Sequence, residues 1–488
     1  MTGLTFAQKE AIGLQYIVDA MQPCSPYGRQ RLQQMAPMQP SQRPEIARQL
    51  GNIQRLLQNP AAKPVMAKLL RVLMGMKMVR PTAEKCREYP LNDIELFELK
   101  RFLLQCREIS ALFDQVQPTL RLTGITLRDT QAALTVLDPE GSGVASFYLP
   151  DTMSQTLERV RGQKRALELQ IRQAPSEELL EQRTLLAGLE AREEQRIHAE
   201  MSAQLRPYLE AMLCNMDAIA DLDLTAEKAR IAALYGGTMP ELTQDRLEMR
   251  EMVNPRIADA LQQRGQKFTP ISIAMDRGTT VITGANMGGK SVALKTLALN
   301  LVLVHCGCFP FAAAAAVPLF DGLHIISEDL ESVDRGLSSF GGEMVRFRDV
   351  LSQLAQGFHF LLLDEFARGT NPQEGAAIVR SVTRYLSECP VMAVLATHYD
   401  GVAELAGRHY QVAGLRDVDW KALGLELSRL DGQAGAKQIE KHMNYGLYPV
   451  ERARACPRDA LNICRLLGMP AEILREAEKT VAESEKIC

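Results

Sequence analysis

Apolar residues recur at three- and four-residue intervals through the first 130 positions. Leu14, Ile17 and Met21 form one such set and Leu99, Phe102, Leu103 and Cys106 another, which predicts helices. Pro23, Pro26, Pro37, Pro40 and Pro44 punctuate the first of them. The pattern then changes: Ala133–Leu137 and Val144–Leu149 flank Asp138-Pro139-Glu140-Gly141-Ser142-Gly143, which predicts a β-hairpin. From 151 to 215 the helical spacing returns at Leu157, Val160, Leu167 and Ile171. After Ala174-Pro175-Ser176 it resumes at Leu179, Leu186, Leu189, Ile197, Met201 and Leu205, with charges filling the gaps. Two long antiparallel helices are expected there. Asp221-Leu222-Asp223 is expected to close the helical part and Gly236-Gly237 to open a linker. Beyond about Ile271, short apolar runs (Thr280–Thr283, His359–Leu363, Val391–Thr397) alternate with helical segments, the mark of an α/β domain with a largely parallel sheet. After about Ala434 the chain reads as helical again, over Ala460–Leu467 and Glu472–Ala482.

Composition adds bounds. The 488 residues fit about three domains. Lys plus Arg (56) and Asp plus Glu (59) nearly balance, which argues against a protein that coats nucleic acid by bulk charge and leaves room for a local basic patch. The ten cysteines form no C-x-x-C pair, so no zinc motif is read. Cys306 and Cys308 lie beside His305, but the apolar run Leu297–Val304 makes them core residues of a buried helix. Lys9 and Glu10 interrupt the N-terminal apolar pieces, and no apolar run approaches the roughly 18 residues of a membrane span. A cytoplasmic protein with reduced thiols and no membrane partner is expected.

Gly284-Ala285-Asn286-Met287-Gly288-Gly289-Lys290-Ser291 fits the G-x-x-x-x-G-K-S phosphate loop, between a predicted strand and a predicted helix. Glycines let the backbone wrap a phosphate, and loop N–H groups with the helix N-terminus supply positive potential. Lys290 is placed for the β and γ phosphates of a nucleotide such as ATP, and Ser291 for Mg²⁺. The apolar run Phe358–Leu363 ends in Asp364-Glu365. Asp364 is the second Mg²⁺ candidate and Glu365 the residue to orient or deprotonate water. Val391–Ala396 ends in Thr397-His398, and His398 is a candidate catalytic-site residue, to sense the γ-phosphate or to polarise the water. His324 and His359, in apolar surroundings, are expected in the core.

These motifs together resemble the MutS ATPases. Thr283–Ser291 is similar to that family's phosphate loop, Ser338-Ser339-Phe340-Gly341-Gly342-Glu343-Met344 to its signature loop, Leu363–Thr370 to its acidic motif and Ala396-Thr397-His398-Tyr399 to its switch motif. The resemblance implies an ABC-type ATPase working as a homodimer, or as a heterodimer with a related subunit. In it Ser338 or Ser339 would contact the γ-phosphate held by the partner. It also implies that Phe268 stacks on adenine. The implied fold class is multidomain, mainly α followed by α/β. Residues 1–150 would be a helical core with the β-hairpin near its end, 151–240 a lever and clamp hairpin with a return helix, 241–435 the P-loop ATPase and 436–488 a helical dimerisation segment.

Departures bear on the target. Ala285 replaces the usual proline, Asn254-Pro255 stands where the family has His-Pro, and Asn371-Pro372-Gln373-Glu374-Gly375 is nearer the second, non-mismatch branch. No mismatch-reading domain and no nuclease tail are read in the chain. One reading is a clamp on duplex or branched DNA, with Arg159, Arg161, Lys164 and Arg165 toward phosphates; Glu177, Glu178, Glu181, Glu190, Glu193 and Glu194 in the same hairpin speak for a solvated mixed face instead. The other, which the missing mismatch domain and mildly acidic charge favour, is a reactivating factor of an adenosylcobalamin-dependent aminomutase, such as a lysine 5,6-aminomutase. Asn444–Tyr448 and Asp459–Gly468 are similar to the C-terminal part of that group.

Overall fold

A computed structural model describes residues 4–284, 289–327, 339–415, 418, 423, 444–450, 461, 464, 465 and 469–487, with the backbone alone at 339 and 481–487. The chain forms two compact units. One comprises residues 22–35 and 55–227, the other residues 1–21, 36–54 and 228–488. These units cut across the expected boundaries: the core and hairpin helices share one unit, and the N-terminal stretch joins the α/β part.

The first unit is helical. Its longest core helix, Asp93–Leu120, opens with a reciprocal capping box between Asn92 and Glu95. One face carries Leu96, Leu99, Phe102, Leu103, Cys106, Ile109 and Phe113, all buried. Leu69, Leu73, Met216, Ile219 and Leu222 pack in the same core.

The β-hairpin expected at 133–149 does not form. Gln131–Leu137 is a helix with Ala133, Leu134 and Leu137 buried, and residues 144–149 carry no strand. Asp138 is the reason. Its carboxylate accepts hydrogen bonds from the Ser142 hydroxyl (2.7 Å) and the Gly143 N–H (2.8 Å), and it pairs with the buried Lys100 at 3.1 Å. The glycine-rich stretch therefore folds back onto an acid at the helix end and turns no hairpin. Asp221-Leu222-Asp223 does not end a helix either. It lies inside Leu209–Leu234, and buried Asp223 accepts from the Cys24 and Ser25 N–H groups and the Ser25 hydroxyl. A Cβ on Gly28 would lie 2.2 Å from Asp223 Oδ2, so only glycine fits there.

Residues 151–205 contain two long helices, Gln155–Gln173 and Glu177–Leu205, capped by Ser154 and Ser176. Arg161 is engaged by Asp151 (2.9 Å), Glu190 (3.0 Å) and Glu194 (2.8 Å), Lys164 by Glu190 and Arg165 by Asp151. Three of the four candidate phosphate contacts thus pair with acids of their own unit, and Arg159 is exposed.

Among the described residues the second unit holds ten strands: β1 (Glu241–Thr243), β2 (Leu247–Met252), β3 (Ile271–Met275), β4 (Gly278–Thr283), β5 (Ala314–Pro318), β6 (Gly322–Ser327), β7 (His359–Asp364), β8 (Val391–Thr397), β9 (Arg408–Gly414) and β10 (Asn444–Pro449). A small sheet runs β1-β5-β2-β3 and a six-stranded one β10-β9-β4-β8-β7-β6. The latter is parallel except for β10, antiparallel to β9. β10 corrects the expectation that the chain after Ala434 is helical throughout: Leu447 and Tyr448 pair with Val412 and Gln411. Ala471–Ile487 is a helix, within which the expected Glu472–Ala482 falls; most of Ala460–Leu467 lies outside the described residues. β4, β7 and β8 are buried at every position, being covered on both faces. The N-terminal stretch is tied in by Gln8 Nε2 to Ile325 O (3.2 Å) and Asn254 Nδ2 to Ile12 O (3.0 Å). No helix among the described residues is long and apolar enough to cross a membrane.

His305 ends the helix Lys290–His305, fully buried between Met38 and Phe320. Its Nδ1 lies 3.0 Å from Met38 O, and its Nε2 accepts the Phe320 N–H at 3.2 Å, which fixes the neutral Nδ1–H tautomer. Cys306 and Cys308 are buried beside it. Burial pushes His305 down to about 4. Between the ordinary value of 6.5 and 4 the unfolded chain takes up a proton that the native site refuses. Stability is therefore complete above pH 6.5 and declines as pH falls through that window, by about 2 kcal/mol at pH 5 from this group. Urea melts at pH 7 and pH 5 should show a smaller pH loss for His305→Leu than for wild type. Equal losses would refute the assignment.

Candidate functional site

Three neighbouring parallel strands deliver the candidate residues to one edge of the large sheet. β8 lies between β4 and β7, with Thr397 in register beside Thr283 and Ala396 beside Asp364. Gly284, His398 and Glu365 follow the carboxyl ends of these strands, where open α/β sheets place their ligand sites.

Gly284, just after β4, has φ 151°, and Gly289 at φ 90° precedes the helix Lys290–His305. Both backbones lie where a side chain is strained. Ala285, Asn286, Met287 and Gly288 lie outside the described residues. Lys290 is buried; its Nζ donates to Gly284 O at 2.8 Å and lies 3.5 Å from Glu365 Oε1. Arg368 Nη1 donates to the other oxygen of Glu365 at 2.6 Å. Glu365 thus sits between two cations, with its own N–H bonded to Ala396 O (3.0 Å) and its backbone at φ 52°. Such conformations persist only where neighbours fix them, and they gather at working sites. Asp364 is buried at the end of β7.

A cavity of about 310 Å³ opens beside this edge. Gly289, Lys290, Ser291 and Glu365 line its polar side, and Phe268, Ile257, Leu261 and Tyr445 its apolar side. An apolar slot next to a lysine and a helix N-terminus suits a base joined to phosphates. Phe268, which the family resemblance sets against adenine, lines the cavity. Ile257 and Leu261, on the helix Pro255–Gln263, were not singled out in the sequence, and Tyr445 carried no site role. Tyr445 reaches the cavity because β10 returns to the sheet. A Cβ on Gly289 would lie 2.5 Å from its Cδ1, so the ring closes over the end of the loop. Asn254, at the family's histidine position, is buried and turned toward Ile12 O, pinning the helix that forms the cavity wall.

His398 does not line the cavity. It is half-buried, its ring centroid 4.5 Å from that of Tyr399, and its Nδ1 has no hydrogen-bond partner among the described residues. Burial pushes its pKa down and the charge of Glu365 opposes this, so the imidazole is neutral at neutral pH. Ser338 lies outside the described residues, and Ser339 begins the helix Ser339–Gln353. His324 and His359 stack on each other at the opposite ends of β6 and β7, away from this edge.

Residues 280–485 match the family model for MutS domain V. Among similar proteins, the "Endonuclease MutS2" of Lactococcus lactis is 30% identical over 301 residues, covering 61% of this chain and 35% of the relative. The protein of the same name from Thermomicrobium roseum is 33% identical over 223 residues, 44% of this chain and 28% of the relative. The "DNA mismatch repair protein MutS" of Shouchella clausii is 26% identical over 296 residues, 60% and 32% respectively. The chain spans about a third of the length of the curated relatives it matches. These names favour the DNA-directed reading and give no support to the aminomutase reading that the sequence had favoured. The strand-end site and the domain V match fall on one segment of the chain, and over that segment the chain is similar to MutS domain V.

Proposed function

We propose that the protein is an ATP-hydrolysing member of the MutS group that acts on DNA. The observation that carries the ATPase part is the convergence of Lys290, Ser291 and Glu365 on one wall of a cavity whose other wall is Phe268, Ile257, Leu261 and Tyr445. Phe268 and Tyr445 offer aromatic faces to a purine. Lys290 exchanges its contact with Glu365 for phosphate oxygens, and the backbone N–H groups of the loop and helix N-terminus complete the phosphate site. The Ser291 hydroxyl and the Asp364 carboxylate are hard oxygen donors that fit Mg²⁺, which when bound neutralises phosphate charge. Glu365 then holds and deprotonates the attacking water. Neutral His398 stands ready to report on the phosphate, and the segment around Ser338 and Ser339 closes the site of a second subunit in a dimer.

The DNA part rests on the names of the relatives. It does not require Arg161, Lys164 or Arg165, which are committed to ion pairs. The test is Mg²⁺-dependent ATP turnover with and without duplex or branched DNA, together with DNA affinity against salt. With about four phosphate contacts, raising salt from about 50 to 200 mM should weaken binding by roughly two orders of magnitude. Absence of ATP binding overturns the ATPase reading. Turnover indifferent to DNA, with no DNA bound at low salt, overturns the DNA reading alone.

A further inference from the structure

Ala367, two residues after Glu365, has a backbone φ of 60° and is buried. Both polar atoms of its main chain are taken by side chains from other motifs. Its N–H donates to Glu343 Oε2 at 2.9 Å, and its carbonyl accepts from the Tyr399 hydroxyl at 3.2 Å. Glu343 is 6% exposed and lies in the first turns of the helix Ser339–Gln353, which begins at the Ser-Ser-Phe-Gly-Gly segment. Tyr399 follows His398, and its own N–H is fixed by Thr397 Oγ1 at 3.1 Å. Space is reserved for this arrangement: a Cβ on Gly375 would lie 2.4 Å from the Tyr399 hydroxyl and 2.8 Å from Ala367 O. The charge of Glu343 also acts on Tyr399, adding to burial in pushing its phenol upward. One residue in a left-handed backbone thus joins the signature helix, the Glu365 loop and the His398 loop.

We propose that Glu343 and Tyr399 are positioning residues that grip the Ala367 peptide from two sides and thereby set the aim of Glu365. Displacement of the helix Ser339–Gln353 pulls on Ala367 through Glu343 and moves Glu365 with it. Tyr399 carries the same displacement to His398. The inference deepens the ATPase reading and rests on it for its kinetic consequence. The geometric part stands without nucleotide.

Two measurements separate the two. Hydrogen–deuterium exchange of the 366–370 segment, on the full chain without nucleotide, should quicken roughly tenfold in Glu343→Ala, because a buried donor loses its acceptor. Glu343→Gln, whose amide oxygen still accepts, should leave exchange near wild type. Unchanged exchange in Glu343→Ala overturns the junction whatever the ATPase does. In ATP turnover, Glu343→Ala and Tyr399→Phe should each lower kcat by about tenfold with KM within about twofold, and the double variant should lose less than the product of the two, since both act through one peptide. Glu343→Gln should restore most of kcat. Multiplicative losses, or a rise in KM alone, overturn the relay. Absence of turnover in the wild type refutes the ATPase reading, and the exchange data alone then decide the junction.

Discussion

Lys290→Ala is expected to weaken ATP binding by roughly two orders of magnitude, because a charged hydrogen-bonding partner of the phosphates contributes up to about 3 kcal/mol. The site explains why so much rests on one side chain. Lys290 is 3% exposed, so water cannot replace it, and it is held in place by Gly284 O at 2.8 Å. Among the described residues no second lysine lines the cavity wall. The same substitution removes one of the two cations beside Glu365, but Arg368 keeps the carboxylate paired at 2.6 Å, so the fold should survive. Calorimetric titration with ATP, alongside a thermal melt, distinguishes the cases. Undiminished affinity with an intact melt would show that this cavity is not the nucleotide site.

Glu365→Gln should separate binding from turnover. The amide keeps the shape and the hydrogen bond to Arg368 but cannot accept the proton from water, so kcat should fall by about 10²- to 10⁴-fold. ATP affinity should hold or rise, since a negative charge 3.5 Å from Lys290 is removed from the neighbourhood of the phosphates. The backbone at φ 52° is as accessible to glutamine as to glutamate, so the substitution adds no strain of its own. Single-turnover hydrolysis after saturation with ATP is the measurement. A near-normal rate would remove Glu365 from its proposed role and turn attention to His398, another polar group at this edge.

Both expectations depend on residues far apart in sequence meeting at one point, and the two levels of description contributed unequally to that. The order strand, glycine-rich loop, helix, acidic strand and histidine strand was readable along the chain, because buried parallel strands are uninterrupted apolar runs and their ends are marked by Gly284, Asp364 and Thr397. The two long helices after 154 were readable for a related reason: helix periodicity and Ser caps are local properties. The expectation failed where a single side chain overrides local pattern. Asp138 draws Ser142 and Gly143 onto itself, and the turn signal that suggested a hairpin instead marks the end of a helix. Asp223 looked like a helix terminator and is a buried acceptor for Cys24 and Ser25, a role set by partners nearly 200 residues away in sequence.

By itself, then, the sequence singled out the residues proposed for phosphate chemistry and their order along the chain, since that chemistry needs particular side chains at fixed spacing beside a strand end. Only the tertiary structure decided what surrounds them. Strand order β4-β8-β7 puts the three strand ends in one row, which no spacing along the chain specifies. The return of β10 brings Tyr445 over Gly289 from more than 150 residues downstream, and the helix Pro255–Gln263 supplies Ile257 and Leu261. The pairing of Glu343 and Tyr399 through Ala367 is likewise invisible to any local pattern, because hydrogen bonds to a main-chain N–H and carbonyl leave no mark on the identity of the residue that makes them.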